Sequence, residues 1–423
     1  MNFFWFRRDL RLQDNVALYK ATLEKEPVVP VFIFDKDILE SLSKDDARVT
    51  FIYQTLKDVD ASLKKNNSSL LVKVGKPIEV WSELVSEFNI DKVFFNKDYE
   101  PYAIARDLEI TQFLRTKNIN VFPYKDQVIF EESEIVKNDG LPYTVFTPYK
   151  NKWLLHFKDV SLEDNNPLEN FHAFNADFPT LKSIGFTESS IKVKPYNLEH
   201  LEAYDMVRDF PFIDKTSYVS PYLRFGLVSA RKFVKIALKT NAIYLSELIW
   251  REFFMQILFH FPKAVTGNFK SKYDQIQWRN NEEEFQKWCK GETGYPIVDA
   301  GMRQLNKTGY MHNRVRMITA GFLCKHLLID WRWGEAYFAE KLLDYDLSAN
   351  NGNWQWAAGT GCDAAPYFRI FNPVEQIKKF DKELKYINTW VKDLNELTYP
   401  QPIVEHKFAR ERALSTYKKG LNK

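Results

Sequence analysis

The first 130 residues switch strictly between short β-rich runs and runs with helical period. "MNFFWF" is followed by "NVALYKATLE", "PVVPVFIFD" by "RVTFIYQTLKDVDASL", "SLLVKVG" by "PIEVWSELVSEF", and "KVFFNKD" by "PYAIARDLEITQFLRT"; "NVFPYKDQVIF" closes the series. A helix between two strands carries the chain back to the edge where the first strand began, so strands joined this way lie parallel. The expected fold of this part is therefore α/β, a doubly wound, five-stranded parallel sheet. No Gly-x-Gly-x-x-Gly follows the first strand and no P-loop occurs, so ordinary dinucleotide and nucleoside-triphosphate sites are excluded. A ligand here would sit in a crevice beyond the strand ends.

From about 131 to 200 the pattern gives way to acidic, Asn- and Pro-containing sequence such as "SLEDNNPLENFHAFNADFP", read as a connector between domains. Beyond 200, runs such as "SARKFVKIALKT", "YLSELIWREFFMQILFHF", "EEFQKWCK", "RVRMITAGFLCKHLL" and "GEAYFAEKLLD" carry apolar residues three and four apart. The expected layout is an α/β domain over 1–130, a connector over 131–200 and an all-helical domain over 201–423. No internal repeat or low-complexity tract is seen.

Charge separates the two halves. Residues 1–200 hold 26 Lys/Arg against 31 Asp/Glu and residues 201–423 hold 33 against 25, giving −5 and +8. The segment Arg303 to Lys325 has five basic residues and no acid, which suits contact with phosphates. The three cysteines, Cys289, Cys324 and Cys362, have neither the number nor the spacing of a disulfide framework or a zinc site. No metal centre is expected, and a reducing compartment, the cytoplasm, is. No apolar run reaches the roughly 18 residues of a membrane span, so no membrane is expected as partner.

Eight of the 11 tryptophans lie beyond residue 200, and their neighbours carry the chemistry. "SELIWREF" at 246–253, "TGYPIVDAGMRQL" at 293–305, "GYMHNRVRM" at 309–317 and "DYDLSANNGNWQW" at 344–356 together resemble the photolyase and cryptochrome family. The resemblance runs from "WFRRDLRLQDN" at 5–15 to "YPQPIVEHK" at 399–407, and is greatest to class I photolyases that repair cyclobutane pyrimidine dimers. It implies a helical domain that holds FAD, UV-damaged DNA as substrate, and a monomer.

The resemblance also assigns residues. "TSYVS", Thr216, Ser217, Tyr218, Val219 and Ser220, matches a phosphate cradle for FAD, where hydroxyls and N–H groups ahead of a helix suit a pyrophosphate. Tyr204 and Arg251 match further FAD contacts, and Asp344, Tyr345, Asp346 and Asn350 match residues lining the flavin ring, with Asn350 at its N5 edge. Arg316 is expected to pair with Asp344 and balance the charge of a reduced, anionic flavin, because a buried anion needs cations and dipoles in place of its water. Trp354, Trp331 and Trp278 match an electron-transfer chain from flavin to surface. Trp354 is expected to lie against the flavin, with the Asn and Gly residues around it letting backbone and small side chains approach the flavin ring closely. Trp250 and Trp356 match two indoles flanking the lesion, Glu247, Asn313 and Met317 match residues touching it, and Arg208, Arg314 and Gln376 match contacts to the DNA backbone.

In "NKDYEPYAIARD", Tyr102 and Ala103 stand where folate-binding members carry an Asn-Glu pair. The second, antenna chromophore is thus left open between a deazaflavin or FMN type, with Arg48 as a contact, and none; folate is disfavoured. The rival functions are a cryptochrome photoreceptor without repair activity, and a nucleic-acid-binding module that uses flavin only structurally. A cryptochrome is expected to lose lesion-pocket residues, all of which are present here. The (6-4) photoproduct branch is disfavoured because His312 is followed by Asn313 rather than by a second His.

Overall fold

The computed structural model describes every residue except Asp159, Ser161 and Lys423. Two of these fall in the expected connector and one ends the expected helical domain; they lie outside the described residues. The rest form two compact units. The first comprises 1–135, 153–196 and 218–239, and the second 136–152, 197–217 and 240–423.

In the first unit five parallel strands, β1 (Asn2–Phe6), β2 (Val28–Asp35), β3 (Leu71–Gly75), β4 (Lys92–Asn96) and β5 (Asn120–Tyr124), are ordered β3-β2-β1-β4-β5. The doubly wound sheet expected from the alternating pattern is present. β1 is central, pairing with β2 from Asn2↔Val28 to Phe6↔Phe32 and with β4 from Asn2↔Lys92 to Phe4↔Phe94. Both faces of β1 and β2 are buried. Phe3, Trp5, Val29, Val31 and Ile33 pack against Trp81, Leu84, Ile110 and Leu114 on one side, and Phe4, Phe6, Phe32 and Phe34 pack against Leu18, Leu56 and Leu63 on the other. Full burial on two faces is why these strands read as continuous apolar runs.

Much of "WFRRDLRLQDN" is structural. Arg11 Nη2 reaches both oxygens of Asp126 at 2.9 and 2.7 Å, and Arg231 Nη2 reaches Asp14 Oδ1 at 2.9 Å and Asp126 Oδ1 at 2.8 Å. Burial pushes the Asp126 carboxyl up, and the two guanidiniums beside it more than reverse that, holding it below the usual carboxylate range. Removing any one member would strand a buried charge, which is far costlier than never having had the network.

The second unit is helical, with its core built from the helices Glu282–Lys290, Pro296–Thr308, Asn313–Gly321, Trp331–Lys341 and Leu347–Ala358. Asp330 and Asp346 accept hydrogen bonds from Arg332 N and Ala349 N and so cap the last two of these helices. Gly359, at φ 91°, ends the Leu347–Ala358 helix in a left-handed turn open to glycine.

The 131–200 stretch carries a helix, Phe146–Phe157, whose first turn belongs to the second unit. Conversely "SARKFVKIALKT" does form a helix, Ala230–Thr240, but packs within the first unit, to which its Arg231 supplies the buried network. No described helix is long and apolar enough to cross a membrane.

Candidate active site

A cavity opens within the second unit, walled by apolar side chains with a few converging polar groups. The helix Asn313–Gly321 supplies Asn313, Arg316 and Met317; Trp331–Lys341 supplies Phe338; and Leu347–Ala358 supplies Asn350, Trp354 and Trp356. Asp344, Tyr345 and Asp346 reach it from the turn between the last two helices. Nine residues singled out in the sequence therefore share one cavity, although they come from two separate segments, 313–317 and 344–356.

Its polar groups are fixed. Arg316 Nη1 and Nη2 donate to Asp344 Oδ1 and Oδ2 at 3.1 and 2.9 Å, and Nε donates to Met311 O at 2.7 Å. Burial works against the guanidinium charge, Asp344 more than compensates, and Arg316 is held above the ordinary arginine value. Asn350 Nδ2 donates to Glu335 Oε1 at 2.8 Å and to Glu335 O at 3.1 Å, which leaves Asn350 Oδ1 as an acceptor. Burial raises the Glu335 carboxyl above its usual range, opposed by the Asn350 amide. Asp346 spends Oδ1 on Ser348 Oγ and Ala349 N, the work of a helix cap.

The indole of Trp354 is 2% exposed and sits edge-on to Phe338, with centroids 4.9 Å apart. What admits it comes from the neighbouring helix. A Cβ on Gly334, on the neighbouring helix, would lie 2.1 Å from Trp354 Cη2, so only glycine leaves room there. Gly352 instead makes space for Phe254, whose Cδ1 would be 2.2 Å from an added Cβ. Trp331 is fully buried in the same core with its Nε1–H on Asn268 Oδ1 at 2.9 Å, and Trp278 packs against that core and edge-on to Tyr417 at 5.9 Å.

Other expected residues lie away from the cavity lining. Trp250, on the helix Ala242–His260, stacks flat on Phe146, with centroids 3.7 Å apart and planes 9° from parallel. Arg208 Nη1 is ion-paired with Glu247 Oε1 at 2.6 Å, and Arg314 Nη2 with Asp209 Oδ1 at 2.6 Å while its guanidinium lies over Phe380. Gln376 is half-buried on the helix Pro373–Phe380. In the phosphate motif, Thr216 Oγ1 lies 3.1 Å from Tyr310 Oη and Ser217 Oγ accepts from Tyr244 Oη at 3.3 Å. Tyr204 is edge-on to Tyr244, and Arg251 is half-buried on the same helix as Trp250. Tyr218 adopts φ 52°, Val219 precedes the short helix Ser220–Arg224, and these three residues, 218–220, count with the first unit.

The lining fits a flavin: flat apolar surface from Phe338, Leu342 and Trp354, one cation held in a fixed plane, and an amide oxygen left to accept. In the first unit, Arg48 is chelated to Asp46, with Nε to Oδ1 at 3.0 Å, and Tyr102 Oη donates to Asp35 Oδ2 at 2.6 Å.

Known proteins resemble the chain along its length. Residues 2–171 match the DNA photolyase profile and residues 244–398 the FAD binding domain of DNA photolyase. The deoxyribodipyrimidine photo-lyase of Agrobacterium fabrum is 36% identical over 98% of this chain and 96% of its own. That of Escherichia coli is 36% identical over 98% and 97%. The chain belongs to the DNA photolyase family.

Two solved photolyases share its fold closely. A bacterial class III photolyase from Agrobacterium tumefaciens superposes with a TM-score of 0.86 at 33% identity, covering 100% of this chain and 98% of that one. An archaeal photolyase from Sulfolobus tokodaii, which holds two FAD molecules, gives 0.87 at 35% identity, covering 99% and 100%. A Synechocystis cryptochrome, at 23% identity and a TM-score of 0.85, shares the fold.

Some residues that hold these side chains escape the sequence. Glu335 holds Asn350, and Tyr310 and Tyr244 hold the Thr216 and Ser217 hydroxyls, yet each lies far from its partner along the chain and in no quoted motif of matching role. Phe338 does carry a signal, the helical period of "GEAYFAEKLLD", but that period marks core and cavity alike.

Proposed function

We propose that the protein repairs cyclobutane pyrimidine dimers in DNA under blue or near-ultraviolet light, with FAD held in the cavity beside Arg316 and Asn350. The observation that carries this reading is one cavity in which a fixed Arg316–Asp344 pair, an acceptor Asn350 Oδ1 and a buried Trp354 converge, in a chain whose relatives are deoxyribodipyrimidine photo-lyases. When bound in its fully reduced form, FAD supplies the light absorption and the single electron that opens the cyclobutane ring and is then returned.

The residues divide that work. Arg316 balances negative charge in a site partly screened from water, where a fixed cation counts for more than at the surface. Asn350 Oδ1 suits a ring N–H of the reduced flavin, and the Glu335 contacts keep the amide from turning over. Tyr345, Asp344 and Asp346 complete the ring site; Thr216 to Ser220 serve the FAD phosphates, and Tyr204 and Arg251 are further FAD contacts. Trp354, Trp331 and Trp278 form the path by which an oxidised flavin is re-reduced by light, since indoles oxidise readily. Photolyases are among the enzymes that extrude their target nucleotides, and a dimer that stacks badly costs less to extrude than normal bases. Trp250 and Trp356 would then flank it, Met317 and Asn313 touch it, and Glu247 hydrogen-bond its pyrimidine edge. Arg208, Arg314 and Gln376 serve the phosphates, which position the strand without reading sequence.

The reading takes the protein as a cytoplasmic monomer with an α/β domain over 1–130, a connector over 131–200 and a helical domain over 201–423. Assay of thymine-dimer loss from UV-irradiated DNA tests it: dimers should disappear only in the light. Persistence of dimers under illumination, with FAD bound, would leave the cryptochrome reading in its place.

A further inference from the structure

Phe146 does more than end a loop. Its ring lies 3.7 Å from that of Trp250 at 9°, the closest and flattest aromatic stack between these helices, and Phe253 meets both edge-on at 5.8 and 5.5 Å. Trp250 is half-buried whereas Phe146 is only 6% exposed, so one face of the indole is sealed by an inner ring. Tyr149, one turn further on, packs on Phe253 at 5.2 Å and anchors the same turn from below. The Phe146 backbone N–H donates to Asp363 Oδ2 at 3.1 Å. Asp363 lies in the segment that leaves the helix carrying Trp356.

We propose that Phe146 is a positioning residue for lesion recognition: it fixes the plane of Trp250 and, through Asp363, ties that plane to the segment that follows Trp356. This rests on the reading that Trp250 and Trp356 flank the dimer. An exposed indole on a helix has several rotamers, and stacking a lesion on it requires selecting one. A ring already clamped on one face pays that ordering before DNA arrives, and offers the lesion a single flat surface. The first turn of Phe146–Phe157 thus acts with the lesion pocket, although its sequence lies within the expected connector.

The test uses the full-length flavoprotein and compares dark binding to a UV-irradiated duplex and to the same duplex unirradiated. Phe146→Leu keeps apolar bulk but not a flat ring. Loss of one aromatic stack should weaken binding to irradiated DNA about three- to tenfold while leaving unirradiated DNA, bound FAD and its spectrum unchanged. Repair rate at saturating DNA should fall much less than KM rises, and Phe146→Tyr should restore both. Should Phe146→Leu fail to fold, Asp363→Ala, which removes the acceptor of the Phe146 N–H, carries the same test with the same expected loss of discrimination. Undiminished discrimination, equal loss for both DNAs, or no rescue by tyrosine would overturn the inference. Trp250→Ala separates this from failure of the underlying reading: if that variant also discriminates normally, Trp250 does not meet the lesion at all.

Discussion

Arg316 grips Asp344 through two parallel hydrogen bonds, Nη1 to Oδ1 at 3.1 Å and Nη2 to Oδ2 at 2.9 Å, at the wall of the cavity. The planar fork fixes where the positive charge sits, which a lysine cannot reproduce. Arg316→Ala should lower FAD retention, or the yield of reduced flavin, at least about tenfold, equivalent to about 1.4 kcal/mol. Arg316→Lys should fall between. Flavin absorbance after gel filtration and anaerobic reduction reads both, and a normal yield from the alanine variant would contradict the charge-balancing role.

Gly334 faces the Trp354 indole with no room for a methyl group, the added Cβ falling 2.1 Å from Cη2 and 2.5 Å from Leu323 Cδ2. Gly334→Ala should therefore push the indole off its seat. An overpacked core site costs about 1–3 kcal/mol, and the same shift should slow light-driven reduction of the flavin. Thermal melting with flavin photoreduction on one preparation checks the pairing of effects.

How far the sequence reaches is clear from such positions. The parallel sheet was legible because strands buried on both faces, such as Phe3 to Phe6, alternate with helical runs over short distances. The ring site was legible because Asp344 to Trp356 is one continuous motif, and Arg316 lies in another. Gly334 was not, since its reason is the edge of a ring twenty residues away in the chain. Nor was Phe146, which lies beside Asn, Gly and Pro in a stretch whose local chemistry reads as loop and whose partner is Trp250. Likewise Arg11 and Arg231 look like surface charges until Asp126 brings them together.

His312 caps the helix Asn313–Gly321, its Nδ1 accepting from Arg314 N at 3.2 Å. Burial, with Arg316 and Arg314 nearby, pushes the imidazole from its ordinary 6.5 down to about 4. Between those values the unfolded chain binds a proton that the folded chain refuses, so stability is fully present above pH 6.5 and is lost as pH falls toward 4. The loss is on the order of 3 kcal/mol at most. His312→Asn keeps a cap residue without a titrating ring, and its melting temperature should fall less steeply over that window than that of the unaltered protein. Parallel curves would show that His312 is not the group responsible.

Trp354→Phe should abolish photoreduction of oxidised flavin while leaving repair by pre-reduced protein largely intact, because the indole serves the supply of electrons rather than the lesion. Phenylalanine keeps an aromatic ring beside Phe338, lacks the indole atoms that meet Gly334, and is far harder to oxidise. Transient absorption and a repair assay on pre-reduced protein separate the two, and equal loss of both would refute the division of labour.

In the proposed repair an electron leaves the bound flavin for the damaged base and comes back. Illumination of anaerobically pre-reduced protein with excess UV-irradiated DNA, and no other reductant, measures this directly. Many dimers should be split per flavin, none in darkness, with the flavin still reduced at the end. Repair that stops at one dimer per flavin with matching flavin oxidation, or that proceeds equally well in the dark, would contradict it.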